Sequence, residues 1–284
     1  LWGTTFVAQD TGMDFIGPYT FCAVRLFLGF LGLLPFFIYF EFNEIKKINF
    51  NLKKVFFFTL ILGSIFGMAN ILQQVSLLYT DIANSAVFTV LYVVIVPLIS
   101  YFIFSIKIHP SIWPSVTLCL IGGLLLSEIK NYDVRFGDML VIIGAFFWAF
   151  HIIFIYKVLK IFNFPIAIAT FQCLVAGIFC SFPALAFETV TINLISKEIT
   201  ELLYAGILSS GVAFMLQAYA QRVLSPASVA IIFSLEGVFA SIFGWILLDQ
   251  FLSEIKVFGI MIILLAVIFS QLIPIYGKKN YGRI

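Results

Sequence analysis

In the stretch Val229–Ala240, VAIIFSLEGVFA, one carboxylate interrupts a run of otherwise apolar or small residues. Glu236 stands nine residues into a helix beginning at Ala227, which is about 14 Å along the axis and close to the midplane of a bilayer. At that depth a carboxylate either binds a cationic group or a proton, or hydrogen-bonds a neighbouring helix as a neutral donor. Arg25 lies seven residues inside another apolar run. It either snorkels to the nearby edge or holds a carboxylate, whether a substrate's or that of Asp10, Asp14 or Glu236. His151 is the one histidine within an apolar run, read either as a neutral core residue or as a group that meets substrate or a proton. This is the chemistry of binding and protonation, not of bond-making. HExxH, GxSxG and paired carboxylates within the apolar runs are absent, so no enzyme is expected. No GxxxxGK[ST] is present, so the chain itself hydrolyses no ATP. Cys22, Cys119, Cys173 and Cys180 each sit in an apolar run without a CxxC pair or clustered His, which predicts buried thiols, no metal and no cofactor.

Amides and hydroxyls extend this set. Gly63, Gly67, Asn70 and Gln74 are spaced 4, 3 and 4 residues apart, a single helical stripe. Gly206, Ser210 and Gln217 form a similar stripe. The small residues permit close helix approach, while Gln74 and Gln217 either line a cavity or bond neighbouring helices. Ser85, Thr89, Tyr92 and Val96 continue the pattern, as do Trp148 with His151 and Trp2 with Thr5 and Gln9. A wet cavity with aromatic rings suits a zwitterionic or aromatic metabolite, although Trp148 reads equally as an anchor at the membrane interface. The substrate-binding candidates are therefore Trp2, Thr5, Gln9, Asn70, Gln74, Tyr92, Trp148, His151, Gln217 and Glu236, and the charge or coupling candidates are Glu236, Arg25 and His151. Gln172, Gln271 and Asn84 fit ordinary helix packing.

The elements that position these side chains must be membrane helices. Of 284 residues, 62% are hydrophobic and only 11% charged, where a soluble domain has roughly 45–50% apolar and about 25% charged. A net charge of +2 gives no reason to expect nucleic acid, and the partners expected are the lipid bilayer, a small-molecule substrate and, as coupling ion, the proton. Ten spans are predicted, near Leu1–Gln9, Pro18–Phe40, Val55–Tyr79, Asn84–Phe104, Ile112–Ser127, Gly137–Tyr156, Pro165–Phe187, Leu202–Gln221, Ala227–Leu248 and Lys256–Tyr276. The first rises only about 15 Å and reads as truncated. Pro97, Pro165 and Pro183 are expected to kink or end helices.

With the amino terminus inside, the inner loops carry 11 of the 16 Lys and Arg residues, from Lys46 to Arg283, and the outer loops carry 4, namely Lys130, Arg135, Lys197 and Lys256. Both termini are thus predicted cytoplasmic. The chain also repeats itself. Gly63 and Gly206, Gln74 and Gln217, Ser85 and Ser228, and Ser127 and Ser270 are each 143 residues apart, while Pro18–Pro165 and Glu41–Glu188 are 147 apart. Two halves of five spans follow, over residues 1–127 and 137–276, with a cytoplasmic tail at 277–284. Because five is odd, the halves enter the membrane in opposite senses, as transporter repeats do.

The segments LWGTTFVAQ, GPYTFCAVRLFLGFLGLLPFF, LLYTDIANSAVF, YAQRVLSPASVAIIFSLEGVFASIFGWILL and FGIMIILLAVIFSQ together resemble the drug/metabolite transporter superfamily, specifically its EamA-type ten-helix exporters. The resemblance implies an all-α membrane fold of ten transmembrane helices, two inverted five-helix repeats around a central cavity lined by the first, third, fourth, sixth, eighth and ninth. It also implies small metabolites such as amino acids as substrates. Gly237 stands where Pro often follows the Glu, Asp249–Gln250 replaces a usual Gly–Glu, and Phe104–Lys107 lacks the matching Gly–Glu of the first half. The function expected is an inner-membrane bacterial transporter, secondary active or facilitative, that exports small organic solutes by alternating access. The alternative is a proton-coupled exporter of lipophilic cations, which an aromatic cavity with a carboxylate would suit.

Overall fold

Hydrocarbon offers no hydrogen-bond partners, so a chain this apolar must satisfy its backbone within helices. The computed structural model describes residues 1–48, 51–80, 82–110, 112–127, 135–248 and 251–281; Lys130, Asp249, Gln250 and Arg283 lie outside them. Among the described residues there is no strand. In chain order the helices are α1 (Trp2–Thr11), α2 (Pro18–Phe40), α3 (Phe42–Lys46), α4 (Leu52–Ser76), α5 (Ile82–Thr89), α6 (Tyr92–Phe102), α7 (Ile112–Ser127), α8 (Phe136–Ile161), α9 (Pro165–Phe187), α10 (Ile192–Lys197) and α11 (Ile199–Leu203). A π-helical stretch, Tyr204–Ala213, runs into α12 (Phe214–Gln221), followed by α13 (Pro226–Phe233), α14 (Leu235–Leu248) and α15 (Glu254–Tyr281). Among the described residues, eight helical segments are long and apolar enough to cross a membrane, and Ile112–Leu126 is apolar but shorter.

Two features depart from continuous spans. The chain expected to run unbroken from Asn84 to Phe104 turns at Val90–Leu91, where the Val90 amide is shared between the carbonyls of Ala86 and Val87 at 3.4 and 3.1 Å and the Leu91 amide reaches back three residues to that of Phe88. The expected span Ala227–Leu248 breaks at Ser234, whose hydroxyl bonds the carbonyl of Ile231 at 2.6 Å, a back-bond that competes with the helical ladder. Leu91 and Ser234 are 143 residues apart, the spacing of the glycines and glutamines above. Pro97, by contrast, lies inside α6 and Pro183 inside α9 without ending either, while Pro165 begins α9.

α2 and α9 form the most extensive helix pair, and they close each other's ends. Each begins with Pro, whose missing N–H is no loss at that position. Neither Gly17 nor Phe164 caps with its own side chain. Instead Glu188, just after α9, accepts from the Tyr19 and Thr20 amides at 2.9 and 2.7 Å and from the Thr20 hydroxyl at 2.6 Å. Glu41, just after α2, accepts from the Ile166 and Ala167 amides at 3.1 and 2.7 Å. Carboxylates at helix N-termini satisfy orphan amides and meet the positive end of the dipole. The exchange fixes α2 and α9 as antiparallel and puts one cap at each end of the bundle. Burial pushes the Glu41 carboxyl up, against the pull of its two amide donors and of Arg222.

α4 packs on α9 as the π stretch packs on α2, and α7 pairs with α15. The predicted close approach at the glycine stripes is present. A Cβ at Gly63 would come within 2.4 Å of Val175 Cβ, and one at Gly206 within 2.6 Å of Leu28 Cβ, distances that no side chain can occupy.

Candidate functional site

Polar side chains that cannot face lipid turn inward, and here they converge. A central cavity of at most about 530 Å³ is lined from α1 by Trp2, Thr5 and Gln9, from α2 by Arg25 and from α4 by Asn70 and Gln73. Thr89 of α5, Tyr92 of α6, and Trp148, His151 and Ile152 of α8 complete one side, and Ser209, Ser210, Phe214, Gln217, Phe233 and Glu236 the other. Nine of the ten substrate-binding candidates read from the sequence lie on the cavity's wall, with Arg25. The tenth, Gln74, does not: fully buried, its side-chain amide donates to the Gln9 carbonyl at 2.7 Å and ties α4 to α1.

Arg25 does not snorkel. It is 3% exposed, donates to the Asn70 side-chain oxygen, and lies 5.7 Å from the centroid of the Phe21 ring. Among the described residues it has no carboxylate partner, since the one ion pair found there joins Lys47 to Glu44. Asn70 is held in turn by its amide, which donates to the Phe66 carbonyl at 2.8 Å. Glu236 occupies the first turn of α14, immediately after the break at Ser234. It accepts no hydrogen bond and forms no ion pair among the described residues. A buried cation and a carboxylate, neither in an ion pair among the described residues, thus face one cavity, an arrangement costly in a membrane unless a ligand or water meets them.

Further polar atoms on the wall lack partners: Gln9 Oε1, Arg25 Nε, the Tyr92 hydroxyl, His151 Nδ1 and Gln217 Oε1. His151 Nε2 is 3.0 Å from Gln172 Oε1, and its ring stacks on Phe66 with centroids 4.8 Å apart. Trp148 is no interface anchor. It stands midway along α8 and lies parallel to Phe214, centroids 5.9 Å apart. Trp2 packs on Phe214 and Phe233, both at 4.8 Å. The cavity is therefore an aromatic box with polar atoms at its corners.

A second hollow, of up to about 1310 Å³, opens on the Glu188 face. Asp10, Thr80 and Lys256 stand at its wide end, and its inner wall includes Val90, Ser234 and Gly237. Thr89, Phe233 and Glu236, adjacent to those residues in sequence, line the central cavity. The two spaces are thus separated by the broken segments of α5–α6 and α13–α14.

Sequence reasoning missed Gln73, Phe214, Phe233 and Ile152. Gln73 is three residues beyond Asn70, on the same face of an ideal helix as Gln74 at four, and that was the available signal. Phe214 lies three before Gln217.

The model of the EamA-like transporter family matches residues 1–128 and 135–272. An uncharacterized transporter of Archaeoglobus fulgidus is 31% identical over 272 residues, covering 96% of this chain and 82% of its own length. The uncharacterized transporter YoaV of Bacillus subtilis is 26% identical over 275 residues, covering 93% and 90%. A solved crystal structure only 14% identical in sequence superimposes with a TM-score of 0.78 over 95% of this chain and 92% of its own, a likeness of fold.

Proposed function

The chain belongs to the EamA-like transporter family, and on that premise we propose that it carries small organic zwitterions, such as amino acids or related metabolites, by alternating access. The observation that carries the reading is Arg25 and Glu236, neither in an ion pair among the described residues, on the wall of one aromatic cavity. A substrate carboxylate would meet Arg25, held by Asn70, and its ammonium group would meet Glu236, while the rings of Trp2, Trp148, Phe214 and Phe233 take the apolar body. The proposed frame is ten crossings in two inverted five-helix repeats, residues 1–127 and 137–276, with both termini and the tail at 277–284 inside a bacterial inner membrane. The reciprocal caps, the packing of α4 on α9 as of the π stretch on α2, and the matched breaks at Leu91 and Ser234 support that frame. Outward direction rests on the resemblance to exporters, and the hollow on the Glu188 face is then the outer vestibule. Flux follows the substrate gradient or a coupled proton, for which Glu236 and His151 are the candidates.

A second reading is favoured by the ring cluster beside Glu236: a proton-coupled exporter of lipophilic cations. Proteoliposomes distinguish the two. Counterflow of labelled L-amino acids that saturates, is trans-stimulated by unlabelled substrate and is lost on Arg25→Gln is expected. Saturable flux of tetraphenylphosphonium with no amino-acid counterflow, unaffected by Arg25→Gln, would replace the first reading with the second. Flux of neither kind, or flux that does not saturate, would remove the carrier assignment.

A further inference from the structure

Trp148 carries one polar atom, the indole N–H, and the protein itself occupies it. It donates to Gln73 Oε1 at 3.0 Å. Trp2 is held in the same way, its indole N–H donating to the Ser209 carbonyl at 3.3 Å. Both tryptophans therefore have their donors occupied by the protein and present ring faces and edges to a ligand. For Trp148 the lock comes from another helix, since Gln73 belongs to α4 and Trp148 to α8. Gln73 is 6% exposed and itself reaches the cavity wall. α4 and α8 pack along much of their length, so this bond is not needed to hold the helices together. What it fixes is the rotation of one ring. Without an acceptor, the half-buried N–H would be left unpaired and the ring would turn to find another, lifting it out of its parallel stack on Phe214.

Resting on the transport reading above, we propose that Gln73 is a positioning residue that sets specificity: by accepting from the Trp148 indole it holds that ring flat as the wall receiving the substrate's ring-bearing or cationic body. Recognition is then divided. The polar ends of the substrate meet Arg25, Glu236, Tyr92 and His151, while its body is selected by the locked rings.

The test compares Gln73→Leu, which removes the acceptor, with Gln73→Glu, which keeps an acceptor oxygen at the same reach, in protein labelled with 15N at the indole nitrogen. The chain has four Trp residues, and Trp148→Phe identifies the signal. In Gln73→Leu the Trp148 indole proton moves upfield, and in Gln73→Glu it stays hydrogen-bonded. In proteoliposomes the KM of Gln73→Leu for L-phenylalanine rises about tenfold, as expected for losing a desolvated ring contact, with kcat kept. The KM for L-alanine changes little, and Gln73→Glu restores the difference. Gln73→Met, similar in length but a weak acceptor, behaves as Gln73→Leu and replaces it should that variant fail to fold. An unmoved indole signal in Gln73→Leu, equal KM changes for the two amino acids, or no rescue by Gln73→Glu would overturn the proposal. If the unmodified protein carries neither amino acid, the transport reading is what fails, and the indole signal still accepts or rejects the anchor.

Discussion

The helix pair α2–α9 and the interrupted pair α5–α6 with α13–α14 solve opposite problems within one bundle. The first pair is unbroken for 23 residues in each helix and is capped at both ends by carboxylates from its own partner. The second is interrupted at Leu91 and Ser234, and the residues flanking the breaks form the wall between the central cavity and the hollow on the Glu188 face. Carboxylate caps at both ends hold a helix pair together, whereas a turn at mid-depth leaves two short segments joined by residues that can absorb a change in φ and ψ. Under the proposed alternating access, the capped pair is then the frame and the interrupted one the moving wall.

The largest effect is expected from freezing the broken side. The Cys119 thiol is 3.3 Å from the Ser234 hydroxyl, so Ser234→Cys places a second thiol beside it. Oxidation of that pair, joining α7 to the break, should abolish transport in proteoliposomes, and reduction should restore it. The matching control lies in the capped pair, where Cys22 of α2 and Cys180 of α9 share one buried cluster, their thiols donating to the Asn70 and Gly67 carbonyls at 3.5 and 3.8 Å. Oxidising these two, with Cys119 and Cys173 replaced by Ala, should leave transport within about twofold of the reduced protein, because cross-linking groups that stay together restricts no motion. Loss of transport in the control would place movement in the capped pair as well.

Next in size are the caps. Glu188→Ala and Glu41→Ala each leave two backbone amides without their acceptor, at a cost of about 1–3 kcal/mol, seen as a lower melting midpoint in detergent. The caps lie at opposite ends of the bundle, so the double variant should lose the sum. A loss well below the sum would mean that the ends are coupled. The smallest effect concerns pH. Burial raises the Glu41 carboxyl above its usual range, so between the unfolded and folded values the folded state binds more protons and stability falls as pH rises. The wild type should therefore gain in melting midpoint relative to Glu41→Gln as pH is lowered from about 7 to 5, and a constant difference would contradict the shift.

Much of the site was legible because hydrocarbon tolerates few polar atoms, which made Arg25, Asn70, His151 and Glu236 conspicuous. What stayed hidden depended on geometry that spacing does not resolve. Gln73 and Gln74 are neighbours, and a stripe through Asn70 admits either; the fold gives the first to the cavity and the second to the Gln9 carbonyl. The breaks at Val90–Leu91 and Ser234 carry no Pro or Gly at the turn itself, and the prolines that suggested hinges sit elsewhere. The symmetry of Glu41 and Glu188 was visible as a spacing of 147 residues. Their purpose was not, since a cap supplied by another helix needs the helix pairing to be known. Trp148 read as ambiguous although the start predicted at Gly137 is one residue from the observed Phe136, because the stack on Phe214 that places its ring needs the helix pairing to be known.

Substrate recognition in this scheme depends on one cavity holding two opposite charges for the two ends of a zwitterion. The direct measurement is proteoliposome counterflow of L-phenylalanine competed by phenethylamine, which lacks the carboxylate, and by 3-phenylpropionate, which lacks the ammonium group, in the unmodified protein, Arg25→Gln and Glu236→Gln. The unmodified protein should discriminate against both analogues by about tenfold or more. Arg25→Gln should lose discrimination against phenethylamine alone, and Glu236→Gln against 3-phenylpropionate alone. Variants that keep both preferences, or that lose them together, would contradict the assignment of one charge to each end.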